Sequence, residues 1–125
     1  MIDLKNTLLV FLGSAIGGTL RFWIGSFIQT KSNSMFPWST FTINILGCLL
    51  IGIILGFANK NNSSSTNLTL LMATGFCGGF TTFSAFANEN IQLLRNNLNT
   101  LSFVYIIGSV VLGIAAVKIG LTIIK

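Results

Sequence analysis

The chain has 125 residues, of which 52% are apolar and 7% charged, with one proline, no histidine and two acids, Asp3 and Glu89. Soluble domains carry about 25% charged residues, so this composition excludes a soluble globule. The formal charge is +5, but Lys5, Arg21, Lys31, Lys60, Arg95, Lys118 and Lys125 are scattered as loop and helix-end charges and form no nucleic-acid patch. Without histidine, and with two isolated acids, a side-chain zinc or iron site has almost nothing to build from. No nucleophile–base pair is visible, so the chain is not expected to be an enzyme. Cys48 and Cys77 both fall in apolar segments and read as small buried residues, not as a disulfide framework.

A spanning helix needs roughly 20 mostly apolar residues, and four segments qualify: about 8–28, 40–58, 68–94 and 101–124. Lys5 ahead of the run from Leu8 to Ile16 imitates a secretory signal. The apolar character continues to Ile28 without a small-residue cleavage site, so this run reads as the first span. The expected architecture is one all-α domain of four transmembrane helices, joined by the polar connectors Gln29–Ser39, Asn59–Asn67 and Arg95–Thr100. The middle connector is flexible in composition and too short for a domain. Trp23 and Trp38 suit an interfacial aromatic belt.

Membrane helices pack through small residues, because lipid gives no hydrophobic drive to associate. The first span carries Gly13 and Gly17, and the second carries Thr40, Asn44, Cys48, Gly52 and Gly56 at steps of four. The fourth carries Tyr105, Ser109 and Gly113 at the same spacing. Asn44 at mid-span must find partners, either by joining two helices or by offering amide hydrogens to a passing anion. Tyr105 with Ser109 suits a pore wall, and tyrosine also anchors at interfaces. Arg21 either snorkels to the headgroups or places a fixed positive charge at a vestibule. Glu89 can pair with a base or cap a helix.

Four spans put Lys5, Lys60, Lys118 and Lys125 on one side and Arg21, Lys31 and Arg95 on the other. That is almost no bias under the positive-inside rule. Two readings stay open: one orientation with a poor signal, or insertion both ways with antiparallel pairing.

The third span contains Gly75-Phe76-Cys77-Gly78-Gly79-Phe80-Thr81-Thr82-Phe83-Ser84-Ala85-Phe86. Adjacent glycines followed by hydroxyl residues predict a helix broken at mid-membrane, with the kink at Gly78-Gly79. Irregular backbone survives there only when buried in protein or lining a polar cavity. Freed carbonyls at such a break coordinate cations in broken-helix transporters. The hydroxyls of Thr81, Thr82 and Ser84 either donate to an anion or bond back to the helix. Phe83 and Phe86, three apart, share a helix face, and aromatic rings carry a positive edge. The residues alone lead to a narrow, weakly polar anion path on a broken helix, with the ion unnamed.

That run resembles the signature of the Fluc (CrcB) fluoride channels. So do Gly17-Gly18-Thr19-Leu20-Arg21-Phe22 and the stretch from Pro37 through Thr40 to Asn44 and Gly47. The resemblance covers the four-span length. It implies an antiparallel, dual-topology homodimer in the bacterial inner membrane, with two fluoride pathways built from both subunits. It also implies a structural Na⁺ on the dimer axis, held by the backbone carbonyls of Gly78 and Thr81 of each copy. On this resemblance the fluoride pathway comprises Phe83, Phe86, Asn44, Tyr105, Ser109, Thr40, Ser84 and Thr82, and Arg21 is the vestibule charge. Ser39, Ala85 and Gly113 depart from residues common in the family.

The implied function is passive, fluoride-selective export that relieves fluoride toxicity, in a protein whose partners are fluoride, the lipid bilayer and a second copy. The competing reading is a small multidrug-type proton-coupled exporter, which needs an acid in the first span. Leu8–Ile28 contains none. A structural membrane protein would explain the glycines but not the broken helix.

Overall fold

A computed structural model describes residues 3–60 and 66–124. The connector residues 61–65 and Lys125, which entered the flexibility and charge arguments above, lie outside the described residues. The described residues form helices and no strand, and four stretches are long and apolar enough to cross a membrane. The chain is a multi-pass membrane protein. Helix α1 spans Leu4–Lys31 and α2 spans Trp38–Lys60. The third span is composite: a short turn α3 (Thr66–Leu68), a π-helix (Thr69–Cys77), α4 (Gly78–Phe80) and α5 (Phe83–Arg95). Helix α6 spans Asn99–Ile123.

Helices α1 and α2 run two to four residues past their apolar windows at each end, while α6 ends at Ile123, one residue short of its window. Asp3 caps α1, its side chain accepting from the Lys5 N–H. In the α1–α2 loop, serines replace regular structure. The Ser34 N–H donates to Ser32 Oγ at 3.3 Å, and the Phe36 N–H donates to Ser34 Oγ at 3.1 Å. Pro37 then leads into α2, where its carbonyl accepts from the Phe41 N–H. Between α5 and α6, Asn97 takes a positive φ of 59°, which asparagine tolerates better than most residues. The turn closes with the Leu98 N–H on the Leu93 carbonyl.

Packing inverts the soluble pattern. Phe11, Phe22 and Phe27 on α1, and Phe103, Ile107 and Ile114 on α6, are exposed, while glycines are buried between helices. Helix α1 lies along the π-helix and α4, and α2 lies along α6. In the first seam a Cβ at Gly13 would overlap the Leu71 carbonyl oxygen, and one at Gly17 would overlap that of Phe76. In the second, Gly52 meets the Val117 carbonyl and Gly120 meets that of Leu49. Gly47 gives its space to the Thr81 methyl, bringing α2 against the break.

The break itself lies downstream of its expected place. Gly78 is helical (φ −62°, ψ −38°), and no glycine has positive φ among the described residues. The extended residues are Thr81 (φ −85°, ψ 160°) and Thr82 (φ −149°, ψ 119°). Glycine at 79 answers a packing demand, since a Cβ there would strike the Ser14 backbone. The turn breaks where Thr82 restarts it, its hydroxyl accepting from the Ala85 N–H as the cap of α5. The π-helix just before it had no signal in the apolar periodicity.

Alanine at 17 forces α1 off the π-helix, an overpacking cost of about 1–3 kcal/mol. Gly18, whose nearest neighbour to a built Cβ is 3.9 Å away, accepts alanine. Thermal melting of the purified protein in detergent should show Gly17→Ala clearly lowered and Gly18→Ala near wild type. Equal melting would refute the seam.

Candidate ion pathway at the break in the third span

At the break, Asn44 on α2 binds the backbone of Thr82 twice. Its Nδ2 donates to the Thr82 carbonyl at 3.1 Å, and its Oδ1 accepts from the Thr82 N–H at 2.9 Å. This is the helix-joining alternative for Asn44. The amide replaces the partners that an unbroken helix would have given, at a depth where each unpaired group costs several kcal/mol.

The bond pattern frees other carbonyls. In a continuous helix the Thr82 N–H would close onto Gly78, and the Ala85 N–H onto Thr81. The first donates instead to Asn44, and the second to Thr82 Oγ1 at 3.2 Å. Gly78 and Thr81 therefore both lose their regular helical donors. Gly78 is also exposed, with no atom within 4 Å of a built Cβ. Gly78 and Thr81 are thus the residues whose freed carbonyls could hold a cation. Among the described residues no cluster of His, Cys, Asp or Glu provides a competing metal site.

The hydroxyls divide by role. Thr81 Oγ1 donates back to the Cys77 carbonyl at 2.9 Å. Thr82 Oγ1 caps α5 and lies 3.3 Å from the exposed Ser84 Oγ. Thr40 and Tyr105 converge on Glu89: Thr40 Oγ1 donates to Oε1 at 2.6 Å, and the Tyr105 hydroxyl donates to Oε2 at 2.8 Å. Tyr105 is fully buried and Thr40 is 6% exposed. Ser109 Oγ, on the next turn of α6, is buried without a hydrogen-bond partner among the described residues.

Glu89 is the residue that sequence reasoning undervalued. The available signal was its depth: an acid inside a membrane span needs donors, and hydroxyls at 40 and 105 were candidates. A second pair was also missed. Ser102 Oγ donates to Asn90 Oδ1 at 2.8 Å, and Asn90 Nδ2 donates to the Phe86 carbonyl at 2.9 Å. The first, buried, ties α5 to α6, and the second holds the Asn90 amide against its own helix at Phe86.

Phe83 and Phe86 have ring centroids 5.8 Å apart at 42°. They do not share an environment. Phe83, the first residue of α5, is 79% exposed on the outer surface. Phe86 turns inward, its ring edge-on to Tyr105 at 5.0 Å. Arg21 is half-buried in the wall of a cavity of about 440 Å³ that also touches Gly18, Ser26, Thr40, Thr82 and Glu89. A second cavity of about 300 Å³ under the α1–α2 loop shares Gln29, Ser39 and Glu89 with it. Of the departing residues, Ser39 abuts Gly25 and Gly113 abuts Cys48.

The family model described as "CrcB-like protein, Camphor Resistance (CrcB)" matches residues 8–121. The chain belongs to the CrcB family. A relative from Phocaeicola vulgatus, named fluoride-specific ion channel FluC, is 45% identical over 118 residues, covering 94% of this chain and 97% of its own length. Another of the same name from Flavobacterium psychrophilum is 45% identical, with 98% of each covered. A third, from Oceanobacillus iheyensis, is 40% identical, with 94% of this chain and 89% of its own length covered.

Asn44→Leu strips both partners from Thr82, an expected cost of about 2–6 kcal/mol at 1–3 per unsatisfied group. Its melting temperature in detergent should fall accordingly; an unchanged melt would mean that the break is held by other contacts. Tyr105→Phe leaves one Glu89 oxygen short of a donor and should cost about 1–3 kcal/mol. Placed on Glu89→Ala, the same change should cost little, so a double-mutant cycle with no coupling would contradict the bond.

Proposed function

We propose that the chain is a passive fluoride-selective channel that discharges cytoplasmic fluoride across the bacterial inner membrane. The observation that carries this reading is full-length similarity to relatives named fluoride-specific ion channels, joined to a third span broken beside Phe83 and Phe86. Fluoride entering as the neutral acid dissociates inside, and the membrane potential is sufficient to drive the anion out. A proton-coupled exporter of the small multidrug type is disfavoured, because the first span has no acid between Leu8 and Ile28.

The working unit is an antiparallel homodimer with two pores. Supporting this are the near-equal charge on the two sides, the open space at Gly78 and the exposure of Phe83. A second copy would cover Phe83 and bring its own Phe86 towards it. A small anion must exchange its water shell for donors, and the candidates here are few. They are the second amide hydrogen of Asn44, Ser84, the unpartnered Ser109 hydroxyl and the positive edges of Phe83 and Phe86. Thr40 and Tyr105 offer hydroxyls already given to Glu89, so an anion at this point competes with a carboxylate for the same two donors. Thr82 holds the backbone open, and Arg21 in the cavity wall attracts anions.

The carbonyls of Gly78 and Thr81 from both copies would hold Na⁺ on the dimer axis. Bound there, it supplies positive charge that offsets carbonyl dipoles left without donors.

Purified protein in liposomes loaded with fluoride should release it rapidly once valinomycin relieves the charge imbalance, and should not release chloride. Phe83→Ile should slow fluoride release by roughly tenfold or more, which is about 1.4 kcal/mol of added barrier. Well-folded protein that moves no fluoride would overturn the channel reading.

A further inference from the structure

The α1–α2 loop is the least obviously functional part of the bundle, yet it reaches the pathway. Its Phe36 ring lies 5.3 Å from Tyr105 at 72°, an edge-to-face contact. Tyr105 in turn meets Phe86 at 5.0 Å and 63°, and Phe86 meets Phe83 at 5.8 Å. Four rings therefore connect the loop to the exposed pore aromatic in an unbroken series. The far end is anchored. Phe36 contacts Trp38 at 4.5 Å and Phe41 at 5.4 Å, and its own N–H is held by Ser34.

We infer that Phe36 is a positioning residue for fluoride passage, acting through Tyr105. Tyr105 has two duties in the site: its hydroxyl holds Glu89 and its ring supports Phe86. The hydrogen bond fixes one end of the side chain but leaves the plane of the ring free to turn about that direction. Ring neighbours with preferred edge-to-face geometry set that plane. Phe36 supplies such a neighbour from outside the membrane-spanning helices, on a loop whose shape is fixed by serine–backbone bonds. It also lines the 300 Å³ cavity beside Glu89, so shortening it adds space where Tyr105 can tilt. An aliphatic side chain at 36 fills volume without orienting the ring; tryptophan retains an aromatic edge.

This inference rests on the channel reading for its transport consequence and stands apart from it for its structural one. The chain contains one tyrosine, so incorporation of 3-fluorotyrosine gives a single ¹⁹F resonance that reports on Tyr105 alone. The protein so labelled, in fluoride-free detergent buffer, should show that resonance displaced or broadened in Phe36→Leu and restored in Phe36→Trp. In liposomes, Phe36→Leu should slow fluoride efflux by roughly threefold to tenfold, the range one aromatic contact supports, and Phe36→Trp should recover it. Phe36→Met serves the same purpose if the leucine variant fails to elute as the wild type does. A resonance unmoved by the aliphatic change overturns the contact route, whatever happens to flux. A moved resonance with unchanged flux overturns the transport role. Equal losses for leucine and tryptophan reassign Phe36 to loop packing and also overturn it. Wild-type liposomes that pass no fluoride sink the channel reading, and with it the transport role, while the resonance still decides the contact.

Discussion

Two hydrogen bonds between the Asn44 side chain and the backbone of Thr82 make the rest of the architecture possible. A spanning segment can leave the helical path only if the peptide groups it abandons are satisfied within the protein. Asn44 satisfies both groups of the residue at the break, and a carboxamide suits this task because it presents a donor and an acceptor side by side. Once that peptide is held, the chain restarts as α5 under its own cap, and the carbonyls upstream are left pointing without donors. The open peptide, the inward Phe86 and the acid three residues further on all follow from a break held in this register.

Around that fixed point the helices divide the labour. Glycine seams bind α1 to the π-helix and α2 to α6 so closely that backbone meets backbone. In lipid, where apolar side chains gain nothing by burial against each other, such contact supplies the association. Thr40, Glu89, Tyr105, Asn90, Ser102 and Ser109 form an inner polar track in which all but one have a named partner. Ser109 is the exception. A buried hydroxyl without a partner is costly for stability, and it is also a donor that no other described residue has claimed.

The four spans were legible because apolar length is a strong constraint in a membrane, and the break was legible because hydroxyls and glycines cluster within it. Its position was not. Gly78 and Gly79 suggested a backbone demand, whereas Gly79 answers the approach of Ser14, and the departure from helix begins at Thr81. Sequence cannot distinguish a glycine needed for its dihedral angles from one needed for its missing side chain. The π-helix was equally silent, because Thr69–Cys77 is apolar almost all round and has no face whose shift could be seen. Phe83 and Phe86 obeyed the spacing rule and still diverged, because a residue at a helix start has no preceding turn to lie against. Glu89 was named but not placed: its partners come from α2 and α6, and only the folded bundle brings them together.

The composite third span bears on how the protein enters the membrane. Helix α5 has 13 residues, about 20 Å of rise, which is too short to cross a hydrocarbon core of about 30 Å alone. The segment before it ends at Phe80 with its last turn opened. Neither piece is a competent membrane insert by itself, and their junction carries a peptide that lipid cannot solvate. The residue that solvates it, Asn44, belongs to a helix synthesised earlier. The order of the chain thus places the side chain that satisfies the break ahead of the segment that needs it.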